Sequence, residues 1–256
     1  MSKVTKLTLL CALAGCGAAA HLQAQEAVPT AESILDRYVE VTGGKAAYEK
    51  HSTQIITGNI AVPEQGLTGR LTRYAMAPDK EYSVVEFGPI GKIESGVFGG
   101  VAWEKSAVLG PRVKSADEKE QAVREARFNA PVEWRRNFPK VDFSGKEMVN
   151  GEECYKITQT PANGKPETQF FSIKSGLLLK TTTIVISPMG EVAAESQVSD
   201  YKRFGGVLYP TRSKEKAGTQ ELDVTVTSIK FDEPIPPQYF ELPPEIKAVL
   251  GKNSGK

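Results

Sequence analysis

Cysteine is close to absent. The chain has three in 256 residues, and Cys11 and Cys16 fall within the first sixteen. Only Cys154 remains in the body, which excludes an internal disulfide framework and a cysteine-built metal cluster. Cys154 sits in the strand-like run "EECYKITQT" with no activating histidine nearby, so it reads as buried filler rather than a reactive thiol. Histidine is scarcer still, at two. His21 belongs to the leader, leaving His51 at a helix-to-strand junction, where a surface or capping role is expected. No H-E-x-x-H and no G-x-S-x-G occurs. The glycines of "FGPIGK" and "FGGVAWEK" lack the phosphate-cradling pattern and read as hairpin turns. An excess of one charge is missing too, with 32 basic residues against 31 acidic. That balance gives no electrostatic case for a nucleic-acid partner. Acid pairs such as Asp117-Glu118 and Glu152-Glu153 read as solvated charges. The expectation is a protein that is not an enzyme, with no cofactor and no metal.

Long apolar runs are confined to the start. Lys3 and Lys6, an uncharged stretch from Leu7 to Ala20 and small residues after it have the form of a secretory signal. The stretch is too short to span a bilayer, which takes about 20 apolar residues. Two readings of its end stand. Cleavage after Leu22-Gln23-Ala24 makes residues 1–24 a signal peptide and releases a soluble periplasmic chain. Alternatively Leu13-Ala14-Gly15-Cys16 is a lipobox, and an acylated Cys16 anchors the chain as an outer-membrane lipoprotein.

What is there begins with a helix. Thr30 can cap "AESILDRYVEVT", Gly43-Gly44 ends it, and a short helical "KAAYEKH" follows. From Ser52 the period changes to that of strands: "TQIITGNIAV", "LTGRLTRYAM", "EYSVVEF", "KIESGVF" and "VAWEKSAV", separated by Pro and Gly turns. Residues 115–138 form a helical interlude that Ser115 and Glu118 can cap as a box. Strands resume with "VDFSGKEM", "ECYKITQT", "ETQFFSIK", "LLLKTTTIVI", "EVAAESQVSDYK", "LYPTRSKEK" and "LDVTVTSIKF", and Asn150-Gly151 and Asn163-Gly164 mark hairpins. No repeat and no linker divides the body. The pattern predicts an α+β class: one large curved antiparallel sheet, an open half-barrel of about 10–12 strands, with helices covering its concave face. A single domain over 28–245 and a flexible tail over 246–256 are expected.

A curled sheet under a helical cover has an inner face that can enclose an apolar ligand. The candidate lining is Leu67, Leu71, Val85, Phe87, Trp103, Phe170 and Val185 on strands, with Trp134 in the helical interlude offering an apolar body and a polar edge. Arg70 and Arg73 lie in one strand, where one can point inward to hold an anionic head group or a helix carbonyl.

"ILDRYVEVTGGKAAYEK", "GKIESGVFGGVAWEKS", "FFSIKSGLLLKTTTIVISPMGE", "SDYKRFGGVLYPTRSK" and "YFELP" together resemble bacterial envelope proteins of the outer-membrane lipoprotein-sorting type, with the Lol-like carrier and receptor fold. The resemblance runs over about residues 30–243. It implies a half-closed antiparallel barrel plugged by helices, whose cavity receives acyl chains of lipoproteins or other lipids. No functional residue of that family is carried to a position here. The expected function is a periplasmic carrier for lipoprotein acyl chains or another apolar ligand, with a displaceable lid drawn from 30–50 or 115–138. Its expected partners are those lipids, an envelope protein, and a membrane met peripherally or through the anchor. The alternatives are a lipid-anchored receptor and an envelope sensor or protein-interaction module on the same fold.

Overall fold

The computed structural model describes residues 28–253 except Met189. The leader, its Cys16 and the last three residues lie outside that range.

The first helix, α1 (Ala31–Val41), starts where Thr30 Oγ1 accepts from the Ser33 N–H at 3.2 Å, satisfying a donor that the first turn leaves free. Thr42 Oγ1 donates back to the Tyr38 carbonyl at 2.6 Å and accepts from the Tyr48 hydroxyl at 2.8 Å. These bonds fold the short α2 (Lys45–Glu49) against the end of α1. Six strands follow: β1 (Thr53–Val62), β2 (Leu67–Met76), β3 (Lys80–Glu86), β4 (Lys92–Phe98), β5 (Val101–Ser106) and β6 (Gly110–Val113). After α3 (Ala116–Glu125) and α4 (Trp134–Asn137) come β7 (Lys140–Val149), β8 (Glu152–Thr160), β9 (Glu167–Ser172), β10 (Leu178–Ser187), β11 (Gly190–Phe204), β12 (Val207–Ala217) and β13 (Gln220–Phe231), then α5 (Pro244–Asn253).

All thirteen strands belong to one sheet in the order β6-β5-β4-β3-β2-β1-β13-β12-β11-β10-β9-β8-β7, antiparallel throughout. Short turns force each strand beside its predecessor, so the chain walks from the centre to one edge, crosses to the other, and walks back until β13 meets β1. The edges β6 and β7 do not pair, and the half-barrel stays open. The crossover over residues 114–139 carries α3 and α4 over one face, here the inner face.

At the central seam Asp232 Oδ1 accepts from the backbone N–H of Ser52 at 2.9 Å and of Thr53 at 3.3 Å. His51 stands between the two halves, with Nδ1 2.7 Å from Asp232 Oδ2 and Nε2 2.8 Å from the Gly205 carbonyl. Its ring stacks on Phe231 with centroids 4.0 Å apart, and its side chain is 8% exposed. The Ser52 N–H and then His51 pull the Asp232 carboxyl down to about 2. His51 is thus a half-buried clamp rather than an open surface residue.

Each face has its own core. On the inner face, Ala31, Ile34 and Leu35 of α1 pack with Trp134, Ile157 and Phe171. Ala122 and Ala126 of the crossover pack on Val97 and Ala102. On the opposite face Trp103 packs with Tyr82 and Ile246, flanked by Tyr74, Tyr239 and Leu242. A Cβ at Gly96 would stand 2.8 Å from the Trp103 indole, so only glycine lets the ring lie flat on β4.

The expected class and open antiparallel sheet hold, and four details are adjusted. Helical cover is not confined to one face, because α5 lies on the opposite one. The flexible tail does not begin at 246: Ile246 is fully buried, and Ile246 and Leu250, one helical turn apart, both pack in the Trp103 cluster. The polarity of "GKNSGK" masks that short apolar stripe. The helical interlude breaks between α3 and α4, where Asn129 adopts φ 56° and Pro131 biases its predecessor away from helix. The thirteenth strand is β6, whose Pro111 is tolerated on an edge.

Candidate functional site

Between the inner face and the crossover lie three hollows that meet at Glu125. The first, about 210 Å³, is walled by Leu35 and Tyr38 of α1, by Ala130, Pro131, Trp134 and Phe138 of the crossover, and by Gln159, Glu167, Gln169 and Leu178 of β8 to β10. The second, about 370 Å³, runs along β10 to β13 past Thr181, Thr183, Val185, Ala194 and Leu222. The third, about 120 Å³, lies under residues 125–131 against Tyr48, Gln54, Arg73, Ala75 and Tyr209.

Polar links lay the crossover over them. Gln121 Oε1 accepts from the Ile186 N–H of β10 at 3.2 Å, and Gln121 Nε2 donates to Glu125 Oε1 at 3.0 Å. Arg73 Nη2 donates to the Glu125 backbone carbonyl at 3.3 Å while pairing with Glu81. Asn129 Nδ2 donates to the Tyr48 carbonyl at 2.9 Å. On the other side Asp36 of α1 takes both the Trp134 indole N–H, at 3.1 Å, and a bidentate Arg135, at 2.9 and 2.7 Å. That pair holds α1 to α4.

The interior is apolar with a small set of polar groups. The Glu125 side chain is exposed at the rim, but the walls crowd it and the loss of surrounding water raises its carboxyl above the ordinary range. Half-buried Glu167 is pushed up to about 7, first by burial; Arg124 opposes the shift and Glu125 adds to it. Gln169 Nε2 donates to Glu167 Oε1 at 2.9 Å. Gln159 is 1% exposed, and its Nε2 has no hydrogen-bond partner. Burial raises the phenols of Tyr38, Tyr48 and Tyr209 around these walls above the ordinary tyrosine range. Among the described residues no group of three or more His, Cys, Asp or Glu is placed to hold a metal ion. No helix among them is long and apolar enough to cross a membrane.

The nine candidate lining residues divide into three sets. Trp134, Arg73 and Val185 wall the first, third and second hollows respectively. Leu67, Leu71 and Val85 share Arg73's face, since β2 keeps an unbroken register and Leu71 pairs with Val85. They lie beyond the hollows, beside Phe87, whose ring would touch a Cβ placed at Gly69. Trp103 and Phe170 do not line any of these hollows. Trp103 is under α5, and Phe170 packs with Val149, Cys154 and Leu179 beneath Lys156 and Lys180. The reason is alternation: Phe170 and Phe171 are neighbours on β9, so only one can face inward, and it is Phe171. Arg70 also points away, into a groove with Asn59 and Glu86.

Glu125, Gln159, Glu167 and Gln169 escaped the sequence reading. The one signal was parity: if Phe171 faces inward, so do Gln169 and Glu167. A larger hollow of about 670 Å³ lies on the opposite face, but it is a polar groove walled by Asn150, Gln197, Asp200, Arg212 and Lys214.

No protein-family model and no curated protein matches the chain. Solved structures do. A DUF1329 family protein from Desulfovibrio piger is 15% identical with a TM-score of 0.57, over 84% of this chain and 98% of that one. A LolA superfamily protein from Nitrosomonas europaea is 14% identical with a TM-score of 0.57, over 84% and 99%. A putative outer membrane lipoprotein-sorting protein domain from Vibrio parahaemolyticus is 14% identical with a TM-score of 0.52, over 82% and 97%. At such identities the likeness is one of fold, and at that level the expected resemblance to lipoprotein-sorting proteins holds.

Proposed function

We propose that this chain, built on the Lol-like fold, is a non-catalytic carrier that holds an acyl chain or another apolar ligand of the bacterial envelope beneath its crossover. The observation that carries the reading is the meeting of three hollows at Glu125, between an open sheet and helices held by a few polar links. Burying acyl chain gains about 0.8 kcal/mol per methylene, on the order of 10 kcal/mol for 16 carbons before the cost of opening. Ligand pockets usually enclose about 300–1,000 Å³. Only the second hollow, at about 370 Å³, reaches that range, so loading requires α1 or the crossover to lift. The lipoprotein-sorting description of the Vibrio relative supports acyl chains of lipoproteins as cargo. The signal-like leader supports the periplasm as the compartment. An envelope protein would then receive the cargo, and an acylated Cys16 would make the same hollow a membrane-bound receptor.

Native and denaturing mass spectrometry of protein from its own envelope fraction tests this. The expected result is a chain starting at Gln25 that releases a lipid-sized mass on denaturation. A bare chain whose delipidated form also fails to bind a fluorescent fatty acid would overturn it.

A further inference from the structure

The first hollow joins aromatic rings to carboxyl groups. Tyr38, Trp134 and Phe138 stand in its wall with the side chains of Glu125 from α3 and Glu167 from β9. Elsewhere the chain neutralises its deep-set acids, Glu94 with Lys105, Glu118 with Arg112 and Glu81 with Arg73. Here, among the described residues, the two carboxyl groups take hydrogen bonds only from glutamines, Gln121 on Glu125 and Gln169 on Glu167. Arg124 lines the same hollow, but its guanidinium rests over the Phe138 ring, 5.6 Å from the centroid, and pairs with neither acid. Gln159, the cross-strand neighbour of Glu167, is buried on the same wall with an amide nitrogen that has no partner. A buried polar group left unpaired is costly, so the wall is complete only when a ligand or water meets it.

Resting on the carrier reading, we propose that this hollow receives an organic ammonium group, the head of an amphiphile whose apolar chain continues past Glu125 along Val185, Ala194 and Leu222 of the second hollow. A cation meets two carboxyl groups there that no side chain neutralises, and aromatic faces attract an ammonium through the ring quadrupole, most strongly where water is excluded. Rings of this region already hold cations of the chain itself: Arg135 lies 4.0 Å from the Trp134 centroid, as Arg124 lies over Phe138. The Gln159 amide, turned end for end, offers its oxygen to an ammonium N–H, because its two ends have the same shape. Other heads fit less well. A free carboxylate meets two acids against one guanidinium, and an alcohol brings no charge. Calcium or magnesium takes about six or more oxygen ligands, which aromatic walls do not supply.

The same chemistry gives the binding a pH dependence. Loss of water raises the carboxyl groups of Glu125 and Glu167, the latter to about 7, and a bound cation offsets that cost. Ammonium binding therefore releases protons, and its affinity rises with pH through that range. Around Glu167 stand Glu125, Arg124 and the Tyr38 phenol. Around Glu125 stand also Lys114, Glu81 with its partner Arg73 and, in the adjoining hollows, Arg127, Glu195, Glu215 and Lys216, which pairs with Glu221.

The test is displacement of an uncharged fluorescent naphthylamine from delipidated protein by dodecyltrimethylammonium, dodecylamine, dodecanol and dodecanoic acid, all below their micellar concentrations, at pH 5 and pH 8. At pH 8 at least one ammonium compound is expected to bind about tenfold or more tighter than the alcohol, and that ratio should shrink at pH 5. Joining Glu125→Gln to Glu167→Gln is expected to abolish the ratio at pH 8. Ammonium and alcohol are compared on one sample, so partial unfolding of a variant does not mimic the effect. Tighter trimethylammonium identifies a methylated head held by the rings, and tighter amine an unmethylated head held by the carboxyl groups and Gln159; either supports the assignment. An alcohol or acid that binds as tightly as both ammonium compounds at pH 8, or a ratio unchanged in the double variant, would overturn it while leaving the carrier reading intact. If neither the naphthylamine nor any member of the set binds, the carrier reading itself fails.

Discussion

Arg73 Nη2 donates to the backbone carbonyl of Glu125 at 3.3 Å, joining the second strand to the last turn of α3 across 52 residues of sequence. The same guanidinium pairs with Glu81 on β3. One side chain therefore fixes where the crossover lies on the sheet, and Glu125 is the residue at which the three hollows meet.

Arg73→Met keeps an apolar stem and removes both bonds. A stability loss of about 1–2 kcal/mol is expected, since a charged hydrogen bond is lost and Glu81 is left half-buried without its partner. Amide exchange over residues 121–131 should quicken, and a fluorescent fatty acid should load faster. Unchanged exchange in that segment would show that Arg73 does not hold the lid.

Glu167 gives the stability a pH dependence of definite sign. Its carboxyl keeps its proton up to about pH 7 in the folded chain but releases it near 4.5 when unfolded. Between those values the folded state binds more protons, so stability falls as pH rises from about 4.5 to 7. Glu125, also raised, acts in the same direction. Glu167→Gln should flatten this slope and leave the variant more stable than wild type at pH 8, by no more than about 2 kcal/mol given the solvent that reaches a half-buried group. Urea denaturation at pH 4 and pH 8 decides it; parallel curves for the two proteins would contradict the assignment.

Gly96→Ala should cost about 1–3 kcal/mol, because the new methyl meets the Trp103 ring at 2.8 Å in a packed cluster. Trp103 faces α5 rather than the hollows, so affinity for the fluorescent fatty acid should not change in the folded variant. A loss of affinity without loss of folded protein would place Trp103 back in the binding path.

Cys154 is fully buried, and burial first pushes its thiol up to about 11. A maleimide at pH 7.5 should leave the native protein unlabelled and react at once in denaturant. Stoichiometric labelling of the folded chain would show an opening of β8 that the packing does not predict.

The sequence by itself determined the strands. "TQIITGNIAV" and "LTGRLTRYAM" match β1 and β2 end for end, because β-branched residues between Pro and Gly turns have few other local solutions. Hairpin-length turns then made an antiparallel meander almost obligatory, and the Ser115 and Glu118 box marked the start of the crossover, with the Ser115 N–H donating to Glu118 at 2.9 Å. Only the tertiary structure decided which side of each strand faces the hollows. Phe170 and Phe171, or Trp103 and Ala102, are equally apolar neighbours, and the choice rests on the register of a strand against its partners and on helices far away in sequence. The crossover places Glu125 across the hollow from Glu167 and Gln159, and α5 claims the face that holds Trp103. Local preference acts over a few residues, whereas inside and outside are defined only once the whole sheet has curled beneath its helices.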